Sequence, residues 1–134
     1  MSRTTKLVAD VAVTAEGRVL LVRYRDTRRY DGQQGWFLPD DFLAELEHPD
    51  DAAARILREQ ATLEAKPGLS FIESFGNGAW HLVFHYRLAL GSSPSISPGS
   101  NVAALEWFAL DALPAADDVA HGGWALDVLS RVLG

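Results

Sequence analysis

The chain has 134 residues, 48% of them hydrophobic, with a formal net charge of −6 and a pI near 5.1. That size suits one globular domain, residues 1–134, with a core of its own, and the acidic balance disfavours partners that need a basic field, such as nucleic acid or an anionic membrane. The lack of cysteine excludes disulfides, thiolate nucleophiles and Cys-ligated zinc, and neither a signal-type apolar run nor a bilayer-length stretch is present, so a cytoplasmic protein is expected.

Lys6 to Val13 is valine-rich, and Arg18 to Tyr24 (RVLLVRY) is a second β-rich run; AEG between them predicts a hairpin. A polar stretch, Arg25 to Gln34, leads to Trp36-Phe37-Leu38-Pro39, read as a short strand stopped by proline. A loop runs on to about His48. Pro49, Asp50 and Asp51 then open a helix, with proline in the first turn and acid at the positive end of the dipole, expected to end near Leu63. Phe71 to Phe75 and Trp80 to Leu90 are two further strands joined by Gly76-Asn77-Gly78, a hairpin signal. In the second of them, alternation puts Trp80, Leu82, Phe84, Tyr86 and Leu88 on one face and His81, Val83, His85 and Arg87 on the other. GSSPSISPGS, residues 91–100, reads as a flexible loop; Val102 to Leu110 is a last strand and Trp124 to Leu133 a last helix. The order implies an α/β fold, with a mixed sheet packed between helices.

Around the first helix, Glu47, Arg55, Leu57, Glu59 and Leu63 stand at spacings that fit a known motif without a gap. Trp36-Phe37-Leu38-Pro39 lies ahead of them and Glu106-Trp107-Phe108 through Leu113-Pro114 near the end of the chain. In these residues the chain resembles the Nudix hydrolase family, whose motif runs Gly-x5-Glu-x7-Arg-Glu-U-x-Glu-Glu-x-Gly-U, with U apolar. The departures are Asp41 and Thr62 at the two glycines and Ile56 and Gln60 at two of the glutamates. The resemblance implies a MutT-like α/β/α sandwich. It also implies cleavage of a diphosphate linked to another group, with Mg²⁺ or Mn²⁺ as Lewis acid, and a small phosphorylated or nucleotide-like ligand.

Carboxylates at i, i+3 and i+4 meet on one helix face, as a hard cation requires, but here those positions are Ile56, Glu59 and Gln60. The resemblance assigns catalytic roles to Glu59, Arg55 and Glu47, and Glu59, Gln60 and Asp41 are the candidate metal ligands. Asp40 and Asp41 either restore carboxylates from the other side of the site or are turn residues. Arg55 orients neighbouring carboxylates or pairs with Glu59 at i+4. Ile56 could simply extend an apolar face. His81 and His85 share a strand face and are candidate substrate contacts, acid/base groups or replacement metal ligands, or else ordinary half-buried histidines; His48 and His121 read as turn residues. Arg23, Arg25, Arg28 and Arg29 form the one basic cluster of the sequence. Arg23 and Arg25, on one strand face, are the better placed for phosphate, and Trp80 is the candidate for stacking on a base.

Three functions remain open on this reading. The first is a degenerate member with weak or no hydrolysis that keeps a nucleotide-like pocket and needs no metal. The second is an active hydrolase with a metal site rebuilt around Glu59, Glu47 and the Asp40-Asp41 pair. The third is a non-catalytic interaction module that forms a homodimer through a sheet edge or the last helix.

Overall fold

The computed structural model describes residues 5–76 and 78–134, and in it six strands form one mixed sheet with a helix on each face. The first hairpin is β1 (Thr5–Ala15) and β2 (Arg18–Tyr24), turned at Glu16 and Gly17 with φ of 52° and 72°. Glycine adopts such a conformation without a Cβ clash, the physical content of the AEG signal. There follow β3 (Asp40–Phe42), α1 (Pro49–Ala61), β4 (Gly68–Gly76), β5 (Trp80–Leu90), β6 (Val102–Ala109) and α2 (Ala120–Leu133). Across the sheet the order is β4-β5-β1-β2-β6, and β3 pairs with β1 through Val8–Phe42, Ala9–Asp41 and Asp10–Asp40. The β1–β5 pair is parallel, so the chain between them must cross over, and α1 lies in that crossover.

Strand alternation sorts the side chains between the two helices. Ala9, Val11, Val13 and Tyr86 pack with Ala53, Ile56 and Leu57 of α1, whereas Ala12, Val19 and Leu21 pack with Val128, Leu129 and Val132 of α2. The α2 face of the same strands also carries Asp10 and His85, register partners in the β1–β5 ladder. Burial of apolar area on both faces, at about 25 cal/mol per Å², is the main favourable contribution.

Three local expectations are corrected. Trp36 and Phe37 make only single bridges, to Val119 and Val22, and the third strand begins after Pro39, a residue with no N–H for a ladder. α1 ends at Ala61, because Thr62 turns left-handed with φ 56° and ψ 37°. Residues 91–100 are tied down rather than free: the Ser97 and Gly99 N–H groups donate to the Ala61 and Gln60 carbonyls at 3.0 and 3.1 Å, satisfying the end of α1. A Cβ at Gly99 would lie 1.8 Å from the Glu59 carbonyl oxygen, so only glycine fits there. As expected, the regular helix of α2 starts at Trp124, since His121, Gly122 and Gly123 before it all have positive φ. The β4–β5 hairpin forms as expected, with Asn77 of its turn outside the described residues. Among the described residues no helix is long and apolar enough to cross a membrane.

Candidate functional site

The helix that carries the motif is fixed at its start by His48, whose Nδ1 accepts the Asp50 N–H at 3.0 Å, and by Pro49 in the first turn. Its apolar stripe then places Ile56 and Leu57 in the core, both fully buried. Arg55 projects from the flank of this stripe and gathers the nearby acids. Its Nε donates to Glu47 at 2.9 Å, Nη1 to Glu59 at 2.9 Å and Asp41 at 3.3 Å, and Nη2 to Glu47 at 3.0 Å and the Phe42 carbonyl at 2.9 Å. The bond from Arg55 is the main reason the Glu47 carboxyl titrates below its ordinary range.

Asp41 is held from two further sides, by Arg29 at 2.6 Å and by the Phe42 N–H at 2.8 Å. Gln60 is buried, and both ends of its amide are engaged: Nε2 donates to the Asp40 carbonyl and Oε1 accepts from the Tyr24 hydroxyl, each at 2.8 Å. Tyr24 in turn stacks on Tyr30 at 3.8 Å between ring centroids, and burial raises its pKa well above that of free tyrosine. The amide oxygen that a cation would need therefore already has a donor. Among the described residues no three His, Asp or Glu side chains converge closely enough to hold a metal ion.

The other sheet face opens instead into a cavity of about 380 Å³ beyond the start of α2. Val8, Phe37, Asp40 and Val83 line it at depth. Phe75 and His81 form one wall, their rings parallel within 7° and 4.8 Å apart, and Trp124 and His121 belong to another. Lys6, Arg29 and Asp31 line it too; Asp31 accepts from Lys6 at 3.5 Å and meets His121 Nε2 at 3.0 Å. Asp40 is only 7% exposed, and among the described residues no side chain or backbone N–H bonds its carboxyl. Burial, then the charges of Asp10, Asp41 and Asp31, push that carboxyl well above the usual carboxylate range.

Glu73 stands in the cavity wall and reaches His85 Nε2 at 2.6 Å and Arg131 at 3.2 Å. His85 lies wholly buried behind it, its Nδ1 2.8 Å from Asp10. Burial opposes the imidazolium, yet the bonds to Asp10 and Glu73 overcome it and hold the pKa above the ordinary histidine value. Burial likewise raises Asp10, against the pull of His85.

Of the residues expected to meet substrate, His81 lines the cavity and His85 sits beneath it, out of reach. Trp80 is not among the lining residues; it is 43% exposed and donates from Nε1 to Ser74 at 2.8 Å. Arg23 lies over the Trp36 ring at 4.5 Å and Arg25 is exposed, neither of them in the lining, so of the arginines in this cluster it is Arg29 that borders the cavity. Arg28 is tied to Asp26 at 2.6 Å. The sequence reading missed Lys6, Asp31, Glu73, Phe75 and Trp124 as cavity residues and took His121 for a turn residue. Two signals pointed there: alternation puts Phe71, Glu73 and Phe75 on one strand face, and Asp10 is a lone acid in the apolar run VADVAV.

A family model, the NUDIX domain, matches residues 4–127. A search of curated proteins by sequence finds no match. Among solved structures, the chain is similar to a MutT NUDIX hydrolase from Burkholderia pseudomallei, at 22% identity and a TM-score of 0.78 over 96% of this chain and 98% of that one. It is also similar to a bifunctional NMN adenylyltransferase/ADP ribose pyrophosphatase from Francisella tularensis complexed with AMP and a manganese ion. There the identity is 16% and the TM-score 0.75, over 99% of this chain and 43% of the other. A C. elegans Ap4A hydrolase in a binary complex matches at 16% identity and a TM-score of 0.68, over 96% and 97% of the two chains. At such identities these likenesses concern the fold.

Proposed function

Because the chain belongs to the Nudix family, whose hydrolases generally use divalent metals, we propose that it binds a phosphorylated, nucleotide-like small molecule in the α2-side cavity and hydrolyses diphosphate bonds weakly or not at all. The observation that carries this reading is the contrast around Asp41: on one side Arg55 engages Glu47, Glu59 and Asp41 itself, and on the other an aromatic-walled cavity stays open. The residues of the motif do not fit a Mg²⁺ or Mn²⁺ ion, since Ile56 is core, the Gln60 oxygen is engaged by Tyr24 and Glu59 is committed to Arg55. No hydrolytic step is therefore derived through a metal.

What the cavity offers a ligand is different. Flat aromatic walls take a heterocycle, and Lys6 and Arg29, both partly exposed, can exchange their aspartate partners for phosphate oxygens. The cytoplasmic location, the single domain and the absence of nucleic-acid or membrane partners belong to the same proposal.

The test is calorimetric titration with AMP and ADP-ribose in EDTA, alongside hydrolysis assays of ADP-ribose and Ap4A with Mn²⁺. Metal-free binding is expected, weakened about ten- to a hundredfold by Lys6→Ala or Arg29→Ala. Robust Mn²⁺-dependent hydrolysis abolished by Glu59→Gln would instead establish an active enzyme with a rebuilt metal site.

A further inference from the structure

Resting on the reading of the cavity as a nucleotide-like pocket, we infer that the Asp31 carboxylate stands where the ligand's phosphate binds, held by Lys6 and His121 until a phosphate displaces it. Asp31 is then a built-in competitor of the ligand, and His121 is a phosphate contact beside Lys6. The lining is acidic on balance: Lys6 and Arg29 face the carboxyl groups of Asp31, Asp40, Asp41 and Glu73. An anion can enter such a lining only where a carboxylate gives up its cation.

Three of these acids are poorly placed to yield. The Asp41 side chain is 9% exposed and held by both Arg29 and Arg55, Glu73 is held by the wholly buried His85 and by Arg131, and Asp40 is buried. Asp31 differs. Its side chain is 51% exposed, with Oδ1 3.5 Å from Lys6 Nζ and Oδ2 3.0 Å from His121 Nε2, which donates because a carboxylate oxygen accepts. These partners lie 25 and 90 residues away in the chain, at the start of β1 and in the turn before α2, so one carboxylate spans two banks of the cavity. Exposed ion pairs are weak, and a phosphate brings more oxygens and a second negative charge to the same two donors.

The backbone keeps the site in place when the carboxylate leaves. Asp31 and His121 both lie in left-handed turns, with φ of 59° and 55°, and the His121 N–H donates to Gln33 Oε1 at 3.0 Å. Residues other than glycine take that conformation at a cost, so the surroundings, not the Asp31 side chain alone, must hold these turns. Beside Asp31, a Cβ on Gly32 would meet nothing within 4 Å, which leaves open space next to it.

Calorimetric titrations in EDTA with pyrophosphate, AMP and adenosine test the competition. Asp31→Asn is neutral, nearly isosteric and suited to a left-handed backbone, and it should tighten pyrophosphate and AMP about three- to tenfold. Adenosine, which lacks the phosphate, should gain less than about twofold. Adding Lys6→Ala or His121→Asn to Asp31→Asn should cancel the gain; asparagine suits the turn at His121 but is shorter than the imidazole. Unchanged or weaker binding of both anions by a folded Asp31→Asn, checked by thermal melts, overturns the inference, and AMP binding by the parent would still leave the pocket standing. An adenosine gain as large as that of AMP overturns it too, because the carboxylate would then block the cavity instead of holding the phosphate position. A gain that survives His121→Asn overturns the role of His121. A pyrophosphate gain with no AMP or ADP-ribose binding in either protein supports the competition at Lys6 and His121 and overturns the nucleotide pocket.

Discussion

On the α1 side of the sheet the polar groups are inward-looking: Arg55 answers Glu47, Glu59, Asp41 and a carbonyl, and Gln60 answers Tyr24 and Asp40. On the α2 side the sheet carries comparable chemistry, yet there a cavity of about 380 Å³ stands open beside Asp40, Glu73 and His81. A motif marks where a family does its chemistry, whereas the open space of this fold lies on the other face of the sheet. The largest expected effect tests the first half of that contrast. Ile56→Glu puts a carboxylate into a fully buried position among Ala9, Val11, Leu57 and Tyr86 and should cost about 3–5 kcal/mol in denaturant unfolding. A double variant, Ile56→Glu with Gln60→Glu, that keeps the parent's stability and gains Mn²⁺ binding would make this helix face a dormant cation site.

Arg55→Ala comes next. It leaves Glu47, Asp41 and Glu59 facing one another and strips the Phe42 carbonyl of its donor. Complete removal of a buried partner costs about 3–5 kcal/mol, and the 19% exposure of the Arg55 side chain and the 56% exposure of Glu59 reduce the expected loss to about 2–3 kcal/mol. Arg55→Lys should recover only part of it, because an ammonium cannot span the same four acceptors as a planar fork. If the two faces are independent, AMP affinity in the cavity should hardly change in a folded Arg55→Lys protein. A large loss would show that Asp41, which touches both arginines, couples them.

How much of this was legible in the sequence follows from the range of each signal. Strand alternation and helical spacing are local, so the hairpins, the α1 stripe and the regular part of α2 could be read directly. Glu47, Arg55 and Glu59 stood out through the motif spacing, and the Arg55–Glu59 pair through its i, i+4 spacing, but the Arg55–Glu47 pair is a tertiary contact. The cavity was not, because Lys6, Asp31, Glu73 and His121 come from four separate segments that only the β1–β5 pairing and the left-handed turn before Trp124 bring together. Arg23 and Arg25 show the same limit: sharing a strand face says nothing about what that face looks onto, and here Arg23 lies over Trp36 and neither arginine lines the cavity. Gln60 was read as a weak ligand since its type allows it; that Tyr24 fills its oxygen is a tertiary fact.

The pH dependence of stability separates the faces again, with opposite signs. Glu47, held down by Arg55, contributes stability that is present above its ordinary value of 4.5 and is lost as pH falls through its depressed pKa. His85, raised by Asp10 and Glu73 against burial, contributes stability that is full below 6.5 and is lost as pH rises through its elevated pKa. Asp40 has the same sign as His85: its raised pKa means the folded state binds a proton the unfolded chain releases, so stability declines as pH climbs above 3.8. Thermal melts should therefore peak at the acid end, near pH 4.5, since Glu47 has its full effect above that value while Asp40 is already losing stability above 3.8 and His85 follows above 6.5. Asp40→Asn should flatten the decline on the alkaline side and be more stable than the parent at pH 8. An unchanged alkaline slope in Asp40→Asn would mean that Asp40 stays ionised in the fold and that its neighbours compensate.

The smallest effect lies where α1 ends. Thr62 stands at a position where the family's motif has glycine, and the chain still turns left-handed there, with φ 56° and ψ 37° and the Thr62 N–H bonded to the Leu57 carbonyl. A β-branched residue is disfavoured in that region because its Cβ crowds the neighbouring backbone, whereas glycine enters it freely. Thr62→Gly should relieve this strain. Against the gain stand the greater freedom of glycine in the unfolded chain and the loss of the Thr62 hydroxyl bond to the Ser97 carbonyl at 3.0 Å, which is exposed and contributes little. The balance should be a stabilisation of about 0.5 kcal/mol, seen as a slightly higher denaturation midpoint with an unchanged slope. Because the Ser97 and Gly99 N–H groups still cap the helix, neither face of the sheet should notice the change, and AMP binding should match the parent. A destabilised Thr62→Gly would place the weight on the hydroxyl instead, making the 91–100 segment depend on Thr62 for its seat against α1.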